Sequence, residues 1–135
     1  MITISSTYLG ELRVESTHVK SGNSLHTDAP IDNHGKGETF SPTDLMCTAL
    51  ASCMMTIMGI EANKLGIDLK GTTLKTTKYM SVSPRKVSKV KIDIEVHNPN
   101  ISEAHQDLLR HAALTCPVAL SLHPDLVQEV EIKFA

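Results

Sequence analysis

The sequence predicts an α+β domain, in which strands are grouped apart from helices. A run of 16 residues without a charged side chain, Leu45 to Ile60, lies between a helix start signal and a helix stop signal. Segments before and after this run alternate apolar and polar side chains with a period of two, as strands do. These strands come in groups and do not alternate with helices, which favours α+β over a parallel α/β fold. At 135 residues, we expect a single domain over 1–135.

The N-terminal segment is predicted to form strands joined by a tight turn. From Tyr8 to Val19 apolar and charged side chains alternate, which indicates a half-buried strand. Residues 20–23 are typical of a hairpin turn, and the chain is expected to return as a strand over Ser24–Asp28. Residues 32–37 have the composition of a loop.

The central helix has clear start and stop signals. Ser41 is the predicted N-cap, Pro42 occupies the first helical position, and Asp44 places a charge in the first turn. The helix should run to about Lys64, where Gly66 provides a C-terminal stop. Its apolar run is shorter than the ~20 residues that a membrane span needs, so we interpret it as a buried helix of a soluble protein. It is apolar on nearly every side, and a second subunit is the natural cover.

Two strands, two helices and a final strand are predicted after the central helix. The strand over 69–80 is weakly patterned, whereas the next one is the clearest in the sequence because apolar and charged residues alternate: Val90, Ile92, Ile94 and Val96 are its apolar set. Ser102 should cap a helix that reaches about Leu114, and Pro117 should begin a short helix. The last strand is expected to turn three apolar side chains inward: Val130, Ile132 and Phe134.

Composition excludes several classes of function. Aromatic residues are only 3% of the chain, so the core should be aliphatic and no stacking platform for bases is available. The formal net charge is -2 and the basic residues are scattered, which argues against a nucleic-acid-binding patch. The seven His residues do not follow a zinc-binding spacing, and no cofactor motif is present, so we expect neither a metal nor a cofactor.

The cysteines indicate a reducing compartment. Three cysteines are an odd number, and the first residues do not resemble a secretory signal. We therefore expect a cytoplasmic protein whose thiols are mostly reduced, and not a disulfide scaffold. No membrane partner is expected either.

Local sequence alone leaves the roles of the thiols open. Cys53 lies in the middle of the apolar helix, on a stripe with Leu45, Ala49, Ile57 and Ile60, and a small buried hydrophobe is the commonest role of such a residue. Cys116 precedes Pro117, so its sulfur should lie at the start of a short helix, where free N–H groups favour a thiolate. By this local argument Cys116 is the more activated thiol, and Cys47 is a packing residue.

Three motifs taken together resemble the OsmC/Ohr family of cysteine-based hydroperoxide reductases. The helix start Ser41–Leu45 is similar to the family's S/N-P-x-x-L, and Cys53 follows that Leu by eight residues. The segment Cys116–Leu122 is similar to its C-P-V/I-x-x-x-L segment, which comes some sixty residues later. The resemblance extends over nearly the whole chain and points to a divergent, OsmC-like branch.

The resemblance implies a fold and an activity. The fold is an OsmC-like one, with antiparallel strands wrapped around a long buried central helix and a second helix in an intertwined homodimer. The activity is reduction of organic hydroperoxides, with Cys53 as the peroxidatic and Cys116 as the resolving thiol and an external dithiol as reductant. The alternative is a non-enzymatic dimer of the same fold that binds a small apolar ligand in its interface pocket.

The resemblance also implies residues that assist the thiolate. In the family an Arg from the N-terminal hairpin and a Glu from the first helical turn do so. Here the Arg position falls on Lys20, and the Glu position falls on Thr43, with Asp44 next to it. Arg85 and Arg110 are further candidate cations, because an ordinary mid-helix thiol is only a few per cent ionised at neutral pH.

Overall fold

The structure is a computed structural model that describes the whole chain, residues 1–135. It contains six strands, three α-helices and one short 3-10 helix, and the strands are grouped apart from the helices. The α+β prediction is therefore confirmed. Contacts within the chain divide it into two compact units, Met1–Met46 and Cys47–Ala135, and the boundary falls inside the first α-helix.

The N-terminal unit contains a three-stranded antiparallel sheet, whose strands are adjacent in chain order: β1 (Ile4–Gly10), β2 (Arg13–His18) and β3 (Ser24–Asp28). The turn predicted at residues 20–23 joins β2 to β3, and a 3-10 helix follows at Ile31–Asn33. The single strand predicted from Tyr8 to Val19 is wrong, because a turn at residues 10–12 divides it. Glu11 and Leu12 have φ angles of 53° and 63° there. Such angles are uncommon for side chains of this kind, so the composition gave no sign of a turn.

The two faces of this sheet differ in polarity. Residues directly opposite each other on antiparallel strands place their side chains on the same face. One face carries polar pairs, including Arg13 opposite Asp28 and Glu15 opposite His26. The register places an apolar group on the other face: Ile4, Tyr8, Val14 and Leu25.

Burial in the N-terminal unit is confined to polar side chains. Only Asp28 and Ser41 are buried, at 1% and 2% exposure. By contrast, Ile4 and Tyr8 on the apolar face expose 57% and 63% of their surface. Within one chain this unit therefore has no apolar core of its own.

Helix α1 (Pro42–Lys64) begins and ends at the predicted residues. The Asp44 N–H donates to Ser41 Oγ at 3.1 Å, and the Ser41 N–H donates to Asp44 Oδ2 at 3.0 Å. This reciprocal pair is a capping box, with Asp in place of the usual Glu. Gly66, with a φ of 69°, takes the left-handed conformation that ends the helix.

The buried stripe of α1 is not the predicted one. Its six buried side chains are Cys47, Leu50, Ala51, Met54, Met58 and Ala62. On the predicted stripe Ala49 and Ile60 are exposed and Cys53 is half-buried. A helix that is apolar on most sides offers several stripes, so composition does not select one. By length and composition α1 is the one helix that could cross a membrane, with 33% of its apolar window buried, and core helices of soluble proteins share those properties.

The C-terminal unit contains a second sheet with strand order β4-β5-β6: β4 (Thr73–Val82), β5 (Arg85–Val96) and β6 (Val127–Phe134). Strands β4 and β5 are antiparallel, whereas β6 is parallel to β5. The expectation of antiparallel strands is wrong for that second pair. Two helices lie between β5 and β6 in the chain, and a crossover of this length allows a parallel pairing. Strand β4 also begins four residues later than predicted, after a turn at Gly71.

Helices α2 (Glu103–Leu114) and α3 (Pro117–Ser121) form that crossover. The predicted cap of α2 is present, since the His105 N–H donates to Ser102 Oγ at 3.3 Å. The apolar side chains predicted on β5 are all buried, at 1% exposure or less. Those predicted on β6 are half-buried and alternate with exposed residues. No aromatic side chain is buried, so the aliphatic core is confirmed.

Candidate functional site

The C-terminal unit brings two of the three thiols together. Cys53 lies in the middle of α1, and Cys116 lies 63 positions later (116 − 53) at the start of α3. Their side chains are neighbours, since Cys53 is among the groups that raise the pKa of the Cys116 thiol. All three cysteines are free thiols. The structure thus pairs the two residues that the sequence motifs single out.

The three thiols differ in their access to solvent. Cys53 is half-buried, whereas Cys116 is fully buried and Cys47 is 3% exposed. Cys47 belongs to the buried stripe of α1 and Cys53 lies beside that stripe. Of the paired thiols, Cys53 is therefore the one that a dissolved molecule can reach.

Cys116 occupies the N-cap position of α3. Its backbone is extended, with φ of -66° and ψ of 153°, as expected for a residue before proline. The Ala119 N–H donates to Cys116 Sγ at 3.4 Å. Only α3, five residues long, follows this cap.

Burial raises the pKa of the Cys116 thiol and outweighs the N–H of Ala119, which lowers it. The neighbouring Cys53 raises that pKa further, and the N–H of Val118 lowers it. A desolvated thiol resists ionisation, and a second sulfur at close range adds repulsion between like charges. The local argument that made Cys116 the more activated thiol is therefore wrong, because it counted the helix end and ignored burial.

The other predicted assisting residues belong to the N-terminal unit. Asp44 is engaged in the capping box, and the hydroxyl of Thr43 lies 3.2 Å from that of Ser41. Lys20 is an exposed residue of the turn between β2 and β3. The structure thus gives Asp44 a role in starting α1, and the proposed role of all three at the thiolate stays a prediction.

The two further candidate cations lie in the C-terminal unit. Arg110 stacks over the ring of Phe134, 5.0 Å from its centre, and forms an ion pair with Asp107 at 3.6 Å. Arg85 is exposed at the start of β5. Their assistance to Cys53 likewise stays a prediction.

Sequence reasoning missed an ion cluster in the N-terminal unit. Arg13 donates through Nε and Nη2 to the two carboxylate oxygens of Asp28, at 2.7 and 2.8 Å, and Nη2 also reaches Glu38 at 3.2 Å. The Glu38 N–H donates to Asp28 at 3.2 Å. These hydrogen bonds, Arg13 first, hold the pKa of Asp28 below its ordinary value, and Asp28 raises the pKa of Arg13. The observed register, which places Thr17 opposite Ser24, pairs Arg13 with Asp28. Counting outwards from a turn at 20–23 pairs Arg13 with Pro30, so the predicted turn did not identify this partner.

A recess of about 510 Å³ adjoins this cluster, lined by Arg13, Leu25, His26, Thr39, Phe40 and Leu45. Its walls are mainly apolar, and the guanidinium of Arg13 is its charged group. Across the chain, no set of three or more His, Cys, Asp or Glu side chains is arranged to hold a metal ion.

Comparison with known proteins agrees with the fold and the thiol motifs. The family model described as OsmC-like protein matches residues 35–131. The chain belongs to the OsmC-like family. A search of curated proteins gave no significant match.

Solved structures of other members extend the comparison. A candidate osmotic stress induced and detoxification response protein of Psychrobacter arcticus is 52% identical, with a TM-score of 0.93 over 98% of this chain and 96% of that one. An organic hydroperoxide resistance protein of Legionella pneumophila, also described as a predicted redox protein, is 18% identical, with a TM-score of 0.76 and 98% of each chain covered. An organic hydroperoxide resistance protein of Elizabethkingia anophelis is 16% identical, with a TM-score of 0.74 over 100% of this chain and 98% of that one. At 18% and 16% identity, the last two structures show that the fold is shared.

Proposed function

We propose that this protein is a thiol peroxidase that reduces organic hydroperoxides. The observation that supports this most strongly is the pairing of a solvent-accessible thiol, Cys53, with a buried thiol, Cys116. A peroxidatic sulfur must be reached by its substrate, whereas a resolving sulfur must only reach the first one. The relatives from Legionella and Elizabethkingia, which are named for organic hydroperoxide resistance, support the same chemistry.

The reaction has two steps. The Cys53 thiolate attacks the distal oxygen of the hydroperoxide, the O–O bond breaks, and Cys53 becomes a sulfenic acid while an alkoxide leaves and takes a proton. Cys116 then attacks the Cys53 sulfur and expels hydroxide, which is protonated to water, and a disulfide forms. The sum is two thiols and one hydroperoxide giving one disulfide, one alcohol and one water. An external dithiol must reduce the disulfide before the next turnover.

Counting thiols tests this proposal. Reduced protein is mixed with one equivalent of cumene hydroperoxide, and the free thiols are titrated with time. We expect rapid loss of two thiols per chain and a Cys53–Cys116 bridge in the peptide map. Cys53→Ser should abolish the loss, and Cys116→Ser should stop at sulfenic acid or go on to over-oxidised forms. Cys47→Ser is the matched control on the same helix and should still lose two thiols.

Two results would contradict the assignment in different ways. If the folded wild type loses no thiol, it is not a peroxidase of this kind. If Cys116→Ser is inert and Cys53→Ser still reacts with peroxide, the roles of the two thiols are reversed.

We further propose that a basic side chain assists the Cys53 thiolate, and the variants to compare are Lys20→Ala and Arg13→Ala. Lys20 occupies the position that family resemblance assigns, whereas Arg13 is held in a fixed orientation by two carboxylates. The assisting cation should be the one whose loss slows oxidation at least ~100-fold at neutral pH, the lower end of the effect typical of a positioned catalytic group. Arg85→Ala and Arg110→Ala test the two further candidate cations in the same way.

We also propose that the working form is a homodimer. The apolar face of the N-terminal sheet is exposed, and on α1 Ile60 is 48% exposed. An exposed apolar face of this kind is typical of an interface between subunits. The proposal places the dimer in the reducing cytoplasm, with no nucleic-acid or membrane partner.

The second candidate is a dimer that binds a small apolar ligand without turnover. The recess beside Arg13 favours it, since mainly apolar walls with a few polar groups are typical of ligand sites. This candidate predicts no thiol loss with peroxide and a retained fold, so the thiol count separates the two functions.

A further inference from the structure

The recess beside Arg13 combines an apolar wall with a fixed polar group. Leu25 and Phe40 are 44% and 51% exposed at this wall. The cavity of about 510 Å³ lies within the ~300–1,000 Å³ typical of small-molecule sites. Asp28 positions both features, because its carboxylate binds Arg13 and its backbone N–H donates to the carbonyl of Phe40 at 3.0 Å. The wall and the guanidinium are therefore oriented by one residue, without a ligand.

The guanidinium of Arg13 keeps unused hydrogen-bond donors. Its contacts with Asp28 and Glu38 go through Nε and Nη2. The remaining nitrogen, Nη1, carries two N–H groups and makes no hydrogen bond within the chain. Because the Arg13 side chain lines the recess, an oxygen atom of a bound molecule can accept from Nη1.

The charges around the recess are unfavourable for an anion. Arg13 already faces two carboxylates, Asp28 at 2.7 Å and Glu38 at 3.2 Å. The other basic side chain of the wall, His26, is bound to Glu15 at 3.0 Å. A carboxylate that entered the recess would lose its water without gaining an unpaired cation. It would also lie close to the two like charges at Arg13.

We propose that the recess binds an uncharged ligand with an apolar chain and one oxygen acceptor, such as an ester, a ketone or an alcohol, and that it excludes carboxylates. The chain covers the exposed surface of Leu25 and Phe40, and the oxygen accepts a hydrogen bond from Arg13 Nη1. A cationic head group is disfavoured as well, because it would face the N–H groups of Nη1. This inference rests on the second candidate function and names its class of ligand.

Two probes that share a chain and differ in charge test the inference. Methyl octanoate and octanoate contain no O–O bond, so the thiols stay reduced in their presence. Binding to the reduced, isotope-labelled protein is followed through the backbone N–H signals of Leu25 and Phe40. We expect methyl octanoate to bind wild type at least ~tenfold more tightly than octanoate, because the recess offers no unpaired cation to a carboxylate.

Glu38→Gln separates the effect of the charges from the ordinary preference of an apolar wall for an ester. It removes one of the two carboxylates at Arg13 and leaves the paired contact with Asp28. We expect the ratio of the two dissociation constants to approach unity by at least ~fivefold, because one like charge is gone. Glu131→Gln makes the same change of net charge at an exposed residue of β6 and should leave the ratio unchanged.

Phe40→Ala tests whether the chain of the ligand lies in the recess. The side chain is half-exposed, so its removal should leave the fold intact. We expect methyl octanoate to bind at least ~fivefold more weakly, because apolar surface that the ligand covers is lost. Val82→Ala, at an exposed site of β4, is the control and should bind the ester as wild type does.

The inference is overturned if octanoate binds wild type as tightly as methyl octanoate does, or if Glu38→Gln and Glu131→Gln change the ratio equally. Ester binding that Phe40→Ala leaves unchanged would overturn it too, since the ligand would then lie elsewhere. If neither probe binds, the second candidate function fails together with the inference. Failure of the peroxidase proposal is distinct, because it is measured by the loss of thiols with hydroperoxide and not by these probes.

Discussion

The two units of this chain are stabilised in opposite ways. In the C-terminal unit the buried side chains are all apolar, and β5 alone contributes Val90, Ile92, Ile94 and Val96 at 1% exposure or less. In the N-terminal unit the only buried side chains are Asp28 and Ser41, and each is hydrogen-bonded to a backbone N–H. The C-terminal unit thus depends on burial of apolar surface, and the N-terminal unit depends on fixed polar contacts.

The difference explains where the proposed chemistry lies. A buried thiol such as Cys116 needs a core that excludes water, and only the C-terminal unit has one. The N-terminal unit instead offers exposed apolar side chains and an anchored arginine, which suit a surface completed by a second copy of the chain. One sequence therefore combines a core that is buried within the chain with an exposed apolar face, where we propose that a second copy of the chain binds.

Removing a side chain from the C-terminal core should have the largest effect on stability. Ile92 is fully buried at the centre of β5, and Ile92→Ala should reduce the free energy of unfolding by about 2–5 kcal/mol through lost burial and a cavity. Urea denaturation at fixed protein concentration measures it. Val82→Ala, at a site 91% exposed on β4, is the control and should change stability by less than about 0.5 kcal/mol. Equal losses in the two variants would contradict a core centred on β5.

Charging the apolar face of the N-terminal sheet should affect association. Ile4 and Ser5 are adjacent on β1, so their side chains lie on opposite faces. Ile4→Asp should raise the dimer dissociation constant at least ~tenfold, about 1.4 kcal/mol, because it places a charge in the proposed interface. Ser5→Asp introduces the same charge on the polar face and should leave association unchanged. Sedimentation equilibrium measures both, and a wild type that is a folded monomer at micromolar concentration would refute the dimer.

The contribution of the Arg13–Asp28–Glu38 ion cluster to stability should depend on pH. The pKa of Asp28 is lowered in the folded state, so its ionised form stabilises the fold above the unfolded carboxylate pKa of about 3.9. That contribution is lost as the pH falls through the pKa of Asp28 in the folded protein. The melting temperature of Asp28→Asn should therefore lie below that of wild type at neutral pH, and the gap should narrow below about pH 4. Glu131→Gln, which makes the same kind of change at an exposed carboxylate of β6, is the control. A gap that is constant with pH would exclude ionisation of Asp28 as the cause.

Local patterns in the sequence predicted helices and strands, but they did not predict which strands and side chains pair. Alternation identified β5 and β6, and short polar signals identified the starts of α1 and α2 at Ser41 and Ser102. Alternation does not say which strand lies alongside, so the parallel pairing of β5 with β6 was missed. Likewise it placed Arg13 on a polar face without identifying Asp28 as its partner.

The thiol site was only partly predictable for a similar reason. The motifs pointed to Cys53 and Cys116, and the structure brings those two together. The pKa of Cys116 depends on burial, which is a property of the assembled core and not of the residues around Pro117. The turn at Glu11 and Leu12 was missed because its φ angles are set by the hairpin and not by residue preference.

The smallest predicted effect compares the helix caps of the two units. Ser41 is buried and forms a reciprocal capping box with Asp44, whereas the exposed Ser102 accepts one longer bond from the His105 N–H at 3.3 Å. Replacing an N-cap serine by alanine costs about 0.5–2 kcal/mol. We expect Ser41→Ala to lie at the upper end of that range and Ser102→Ala at the lower end, because loss of a buried acceptor leaves an N–H without solvent as a substitute. Ser→Gly at each site should recover most of the loss, since glycine is tolerated as a cap. Urea denaturation of the four variants gives the comparison. If Ser102→Ala loses more free energy of unfolding than Ser41→Ala, the buried cap of the N-terminal unit is not the more stabilising of the two.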